Sequence, residues 1–330
     1  WRRGERQYDT NVFLQHRLQK DFGDRFSTQV LAKYAYYRTH YLDRDTTHLP
    51  VDNRYWQQEF YLSTSNSYQL LPAWGVSMSY DLRWNKLNAD TYRFAFPTRL
   101  THSAAVATAL DLGPLRLQGS LAAMFVSDRV RRGKSAHLHE FMPAFFLNYY
   151  PFASRAFSVH AFAKRSFRMP TFNDLYYAEM GNARLRPEST NQYDVGINLE
   201  DTPDGRGWLR AYGLRMDAYY NTVADKIIAY PKGQQFRWTM LNLGRVHIWG
   251  ADVLLSATLQ PAPAWSATLR AQYTWQQARD VTSPSRTYYR HQIAYVPCHS
   301  GSFVASVQHG GWGMDYSFIY AGKRWNAQEN

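Results

Sequence analysis

Trp265-Ser-Ala-Thr-Leu-Arg-Ala-Gln-Tyr-Thr-Trp-Gln276 alternates strictly. Trp265, Ala267, Leu269, Ala271, Tyr273 and Trp275 fall on one side, and Ser266, Thr268, Arg270, Gln272, Thr274 and Gln276 on the other. A two-residue period is that of a β-strand, whose successive Cβ atoms point to opposite faces of a sheet. The run is about twice the common strand length of about five or six residues. It matches the roughly 9–11 residues that a tilted strand needs to cross a hydrocarbon layer. The pattern recurs over residues 115–126, with Leu115, Leu117, Leu121, Ala123 and Phe125 against Arg116, Gln118 and Ser120. It recurs over 192–200, where Tyr193, Val195, Ile197 and Leu199 oppose Gln192, Asp194, Asn198 and Glu200, and again over 26–37, 249–260 and 312–321.

Composition points the same way. The 330 residues include 25 Tyr and 11 Trp, 16% aromatics in all, yet the mean hydropathy is only −0.53. A membrane β-barrel reconciles the two, because it encloses a polar lumen and carries aromatic girdles at both interfaces. No apolar run approaches the roughly 18 residues of a transmembrane helix. The single Cys298 excludes an internal disulfide framework and any multi-cysteine metal site. A net charge of +12 suits nucleic acid, anionic headgroups or a basic lumen. Nothing resembles a recognition helix or zinc finger, so nucleic acid is not an expected partner. The first residue is Trp1 and no signal-peptide core follows, so the sequence reads as an internal fragment.

Alternating segments number about fourteen: residues 7–20, 25–38, 54–66, 75–84, 99–112, 115–130, 137–150, 157–167, 191–200, 208–221, 246–260, 265–277, 299–308 and 312–320. Short connections near 22–24, 69–74, 113–114, 152–156, 203–207, 261–263 and 309–311 alternate with longer polar ones. The longer ones lie near 42–53, 85–97, 129–135, 168–190, 222–245 and 280–297, and from 323 onward. Outer-membrane barrels have this asymmetry, with short periplasmic turns and long extracellular loops. A soluble propeller would show a per-blade motif every 40–50 residues or so, and none is present. The expected fold class is therefore all-β, a transmembrane antiparallel β-barrel.

Residues with chemical potential are sparse. His137 and His139 share one face of a strand, beside Glu140, without a third ligand nearby in sequence; His102, His160, His247 and His299 stand singly. Asp43, Asp45 and Asp52 depart from the spacing of a calcium loop. Arg129, Arg131, Arg132 and Lys134 cluster in one outer loop, as a solvated surface or a contact for lipopolysaccharide phosphates. No catalytic triad, phosphate loop or carboxylate pair stands out; a barrel esterase or protease and an adhesin are the alternatives to transport.

One stretch breaks the rhythm: Ser166-Phe-Arg-Met-Pro-Thr-Phe-Asn-Asp-Leu-Tyr-Tyr-Ala-Glu-Met-Gly-Asn-Ala-Arg-Leu-Arg-Pro-Glu188. Pro170 and Pro187 each remove a backbone donor, so it cannot be an interior strand. Its residues Phe167, Arg168, Pro170, Asn173, Asp174 and Leu175, then Gly181, Asn182, Leu185, Pro187 and Glu188, followed by Gln192-Tyr-Asp-Val-Gly196, resemble TonB-dependent outer-membrane receptors. The form with Phe-Asn-Asp-Leu-Tyr-Tyr is most similar to receptors of the Bacteroidetes group. Val296-Pro-Cys-His-Ser300 and Tyr320-Ala-Gly-Lys-Arg-Trp325 resemble two later blocks of that family.

The resemblance implies a roughly 22-stranded barrel closed by an N-terminal plug, of which this sequence covers approximately strands six to nineteen. It implies no catalytic residues, no resident metal and no cofactor. The implied function is import of a large scarce nutrient at the outer membrane of a Gram-negative bacterium. The TonB-ExbB-ExbD complex, reached through a plug segment outside the sequence, would energise it. Haem receptors place a ligand histidine between their blocks, and residues 169–183 have none, which leaves cobalamin, slightly favoured, or a ferric siderophore. Outer-membrane lipid, lipopolysaccharide and a surface lipoprotein complete the implied partners. Tyr176, Tyr177 and Arg168 are the candidate substrate contacts, with Asp174 and Glu188 as anchors of the loop.

Overall fold

The computed structural model describes residues 5–44, 50–92, 94–131, 136–176, 181–203, 207–232 and 237–326. The described elements are β1 (Glu5–Phe22), β2 (Phe26–Asp43), β3 (Val51–Leu71), β4 (Trp74–Ala89), β5 (Thr98–Asp111), β6 (Leu115–Arg129), β7 (Ala136–Tyr149), β8 (Phe157–Arg168), α1 (Phe172–Tyr176), β9 (Glu188–Asp201), β10 (Leu209–Lys232), β11 (Arg237–Leu259), β12 (Trp265–Asp280), β13 (His299–His309) and β14 (Trp312–Ala321). All 14 strands form one antiparallel sheet in chain order. β1 and β14 are its two ends, and among the described residues no pairing joins them.

Register carries each face across the whole wall. Trp74, Leu110, Leu117, Leu147, Ala161, Val195, Ala218, Ala251 and Trp275 are successive partners from β4 to β12, an unbroken apolar row. One residue along the strands, Asp111, Arg116, Asn148, His160, Gly196, Asp217, Asp252, Thr274 and Ser300 form the matching row on the other face. A slip of one residue would exchange the two sets completely, so the pairing is tightly specified. Exposed Met78, Val106, Leu121, Phe145, Val195 and Tyr273 all belong to the apolar face. So large an uncovered apolar surface suits lipid, not water. Tyr hydroxyls bond to imidazoles along that face, Tyr80 to His102 and Tyr273 to His299 at 2.7 Å each, and Tyr220 to His247 at 3.1 Å. These pairs give the apolar wall the amphipathic groups that sit well at a membrane interface.

The buried cores lie on the polar face, at the long-loop end. There Val223, Leu243, Val246 and Ala278 are covered by Ile293 of the inward-folded 281–298 connection. The polar face is therefore the lumen side, and the wall is held from within by its own loops.

Fourteen strands appear in the expected order, but several run further than their membrane-crossing parts. The connection expected over 222–245 is a hairpin arm instead, because β10 continues to Lys232 and β11 starts at Arg237. The two strands stay paired past Asp225, whose positive φ interrupts the alternation, because both sides of the arm are covered: Val223 and Leu243 are buried against Ile293, and Ile227 against Leu175 and Leu185 of the excursion. β2 likewise continues to Asp43 and β3 begins at Val51, shortening the loop expected over 42–53.

The two faces of β12 make a direct test. Ala271 pairs with Phe303 on the apolar face, and Gln272 with Ser302 on the polar one. In the full-length protein, Ala271→Arg is expected to cost about 2–4 kcal/mol of folding free energy if the site lies near the bilayer midplane. Gln272→Arg is expected to cost far less. Denaturant titration in lipid vesicles measures both, and equal costs would contradict the face assignment.

Candidate functional site

The helix α1 is a single turn, and its start is written in four residues. The Thr171 hydroxyl accepts from the Asp174 N–H at 3.1 Å, and the Asp174 carboxylate accepts from the Thr171 N–H at 2.9 Å. This is a reciprocal capping box, which satisfies two otherwise orphaned donors at a helix start. Asp174 also accepts from the Arg168 guanidinium at 3.2 Å, so the end of β8 and the helix are tied together.

α1 folds inward and is gripped by Arg99 of β5. The Arg99 guanidinium makes two 2.7 Å bonds to Asp128 of β6 and a third, at 2.8 Å, to the carbonyl of Pro170. Its face also lies 5.1 Å from the Phe172 ring. Both charged groups are buried, and the planar fork of arginine is what allows all these contacts at once. Phe172 packs with Tyr55, Leu87, Ala89 and Phe94 of β3, β4 and the following loop. On the other side Leu175 packs with Leu185 and with Ile227 of β10. Tyr176 touches both clusters, so this one turn joins well-separated parts of the wall.

The returning half of the excursion is fixed to β10 and β11. Asn182, just after Gly181, donates its side-chain amide to the Met240 carbonyl at 3.0 Å, while its backbone N–H bonds the Asp174 carbonyl at 2.8 Å. Asn242 accepts from the Arg186 N–H and donates to the Arg186 and Asp225 carbonyls. Past Pro187, Glu188 accepts from the Ile227 N–H at 2.9 Å and lies 3.9 Å from Arg168. The Asp174 and Glu188 carboxylates thus converge on Arg168, whose side chain keeps 48% of its surface exposed.

Asn173 and Phe172 border a polar cavity of about 190 Å³ with Gln57, Glu59, Arg83, Asn85 and Arg99. Small-ligand pockets run from about 300 to 1,000 Å³, so this is one facet of a larger surface and not a complete site for a bulky solute. Tyr176 is half-buried. Burial pushes its phenol above the ordinary range, reinforced by Asp128 and opposed by Arg99, so it stays a neutral hydrogen-bonding group. Tyr177 lies outside the described residues. Phe167 is the penultimate residue of β8, pairing with Ser189.

Other sequence candidates are dispersed. His137 bonds Ser127 at 2.8 Å, and Glu140 pairs with Arg165 at 2.7 Å. Asp52 pairs with His40 at 2.7 Å, and Asp45 lies outside the described residues, so no calcium loop is seen in what is described. Arg131 covers the Phe96 ring at 5.3 Å, while Arg132 and Lys134 are also outside the described residues. Sequence reading missed Arg99, Asp128 and the capping role of Thr171. Only the Thr-x-x-Asp spacing after Pro170 carried a usable signal. It also left His160 as an isolated residue, although Asp194 and Asp217 meet it in space.

The family described as "TonB dependent receptor-like, beta-barrel" matches residues 1–330. The vitamin B12 transporter BtuB of Vibrio vulnificus is 34% identical over 87 residues, 26% of this chain and 13% of that protein. Its namesake from Photobacterium profundum is 32% identical over 96 residues, 29% and 15% of the two chains. Among solved structures, the copper transporter OprC superposes over 97% of this chain and 53% of its own, with a TM-score of 0.75 at 14% identity. The siderophore receptor PiuA from Acinetobacter baumannii superposes over 98% and 56%, with a TM-score of 0.72 at 12% identity. The likeness to the solved structures concerns the fold, and the chain spans about half the length of each.

If Arg99 is the clasp of the excursion, removing its buried counter-charge must loosen it. Asp128→Ala in the full-length protein is expected to cost about 3–5 kcal/mol locally, because it strands a buried guanidinium. Hydrogen exchange of the amides of residues 171–176 is expected to accelerate by roughly a hundredfold or more, since each 1.4 kcal/mol of local stability is a factor of about ten. Unchanged exchange there would show that Arg99 does not hold the segment.

Proposed function

Because the chain belongs to the TonB dependent receptor-like β-barrel family, we propose that it forms one wall of an outer-membrane barrel that imports a large, scarce nutrient. The observation that carries this reading is the combination of a two-faced membrane wall with an inward-folded excursion clasped by Arg99. Such a wall needs closure, since lipid does not tolerate open sheet edges. In this reading further strands pair with β1 and β14, and a plug fills the lumen and takes energy from TonB-ExbB-ExbD. The apolar face meets outer-membrane lipid and lipopolysaccharide, and a surface lipoprotein completes the assembly.

Cobalamin is the favoured cargo and a ferric siderophore the second. The two sequence relatives are named vitamin B12 transporters, and the match to each, at 34% and 32% identity, supports the preference. Arg168 offers a half-exposed guanidinium, and Tyr176 of the same excursion a neutral phenol; with Tyr177 they make the proposed cargo contact. Anionic or carbonyl-rich solutes suit such groups, because arginine presents several donors in a fixed plane. Transport is favoured over catalysis because both relatives carry transporter names.

Deleting the full-length gene and measuring uptake of labelled cobalamin and ferric siderophores tests the reading. Loss of cobalamin uptake, matched by deletion of TonB, is the expected result. Loss of siderophore uptake alone would reverse the order of cargoes. Normal uptake of both would overturn the proposal and favour an adhesin or barrel enzyme.

A further inference from the structure

A second cluster sits on the lumen side of β8, β9 and β10, within the barrel wall and separate from the excursion. His160, Asp194 and Asp217 each aim one ligating atom at a common point, all three atoms lying within 4.8 Å of one another. Their side chains retain 19%, 7% and 12% of their surface. His160 Nε2 is 2.7 Å from Asp217 Oδ1 and 3.8 Å from Asp194 Oδ1. Gly196 lies between the strands that carry His160 and Asp217, and this glycine makes the meeting feasible. A Cβ at position 196 would come within 2.6 Å of His160 Nε2 and 2.7 Å of Asp217 Oδ1.

The cluster is short of positive charge. Asp252 stands directly opposite Asp217 on the neighbouring strand. Like charges in that relation repel. Arg215 supplies one guanidinium, at 2.9 and 3.1 Å from the two Asp217 oxygens. Asp194 Oδ1, on a side chain more than nine-tenths buried, has no hydrogen-bond partner, and neither has Asp252 Oδ1. A buried carboxylate oxygen without a donor is costly unless something else satisfies it.

We propose that His160, Asp194 and Asp217 bind a first-row divalent cation in the barrel wall. One imidazole nitrogen and two carboxylate oxygens form a donor set of intermediate softness, suited to zinc-like ions more than to magnesium. Tetrahedral ligands at about 2.0–2.2 Å from a metal stand roughly 3.3–3.6 Å apart. The two separations from His160, 2.7 Å and 3.8 Å, bracket that value, and the two carboxylate oxygens lie within 4.8 Å of each other, so shifts on the order of an ångström bring the three atoms into place. On binding, the Nε2 lone pair goes to the metal. Ligation requires the Nδ1–H tautomer, so a proton on Nε2 is given up to solvent as the metal binds and Nδ1 carries the ring's remaining proton. Arg215 keeps its bonds to Asp217 and orients that carboxylate, as outer partners of metal ligands commonly do. A polar cavity of about 570 Å³, lined by His160 and Arg215 together with Asn148, Ser158, Asn198 and Glu200, gives the ion its route in.

The test uses the full-length receptor, stripped with chelator and titrated with Zn²⁺ against a chromophoric competitor in excess Mg²⁺. One saturable site is expected in the parent, weakened at least tenfold in both Asp194→Asn and His160→Gln. Co²⁺ substitution is expected to give the intense visible bands of a four-coordinate N/O site, reduced in the same variants. Heat-modifiable gel migration checks that each variant still folds; if one does not, the comparison of the parent with the other variant decides. Absence of saturable binding in the parent, as when an Arg or Lys from elsewhere in the full-length chain fills the cluster, would overturn the proposal. So would equal Zn²⁺ affinity in the parent and a folded variant.

Discussion

A backbone amide inside hydrocarbon has no water to bond, so every N–H and C=O must be matched by a neighbouring strand. That constraint explains most of this molecule. It makes one continuous ladder the only arrangement, fixes register from β1 to β14, and forces the side chains to divide between two solvents. Irregular backbone is then admissible only where protein covers it or water reaches it. The excursion between β8 and β9 meets this condition by folding inward, with Pro170 fully buried and its carbonyl taken by Arg99.

The same division of faces places two kinds of chemistry in different surroundings. On the outer face the polar atoms are few and are paired locally, as in the Tyr80–His102 and Tyr273–His299 bonds. On the inner face charges are clustered and partly unmatched. At the long-loop end Arg99 is fully engaged by Asp128 and Pro170, so the excursion is a fixed part of the wall. Lower in the lumen, Asp194 and Asp252 keep unpartnered oxygens. A rigid upper rim and an unsatisfied wall below it are consistent with a lumen built to hold something other than water.

The fold was legible because alternation is a local property. Ala271 and Gln272 declare their faces from their immediate neighbours, and the apolar row from Trp74 to Trp275 repeats that information strand by strand. Loop lengths were less legible, since a hairpin arm above the membrane stays paired even where its alternation is interrupted, as at Asp225. β10 and β11 showed this beyond Asn221. The site was least legible. The order of the 166–188 block is visible in sequence, but its clasp is not, because Arg99 contacts Pro170 from 71 residues away. His160 looks solitary for the same reason, its partner Asp217 being 57 residues on. Contacts between distant strands depend on accumulated register, which no single window of sequence contains.

Whether the excursion truly folds onto the inner wall is the point on which the site rests. Gln57 of β3 and Asn173 of α1 border the same small cavity. Spin labels at these two positions, in the full-length receptor in lipid with Cys298 changed to Ser, report their separation by pulsed dipolar spectroscopy. A single short distance is expected. A broad distribution extending across the mouth of the barrel would contradict the account.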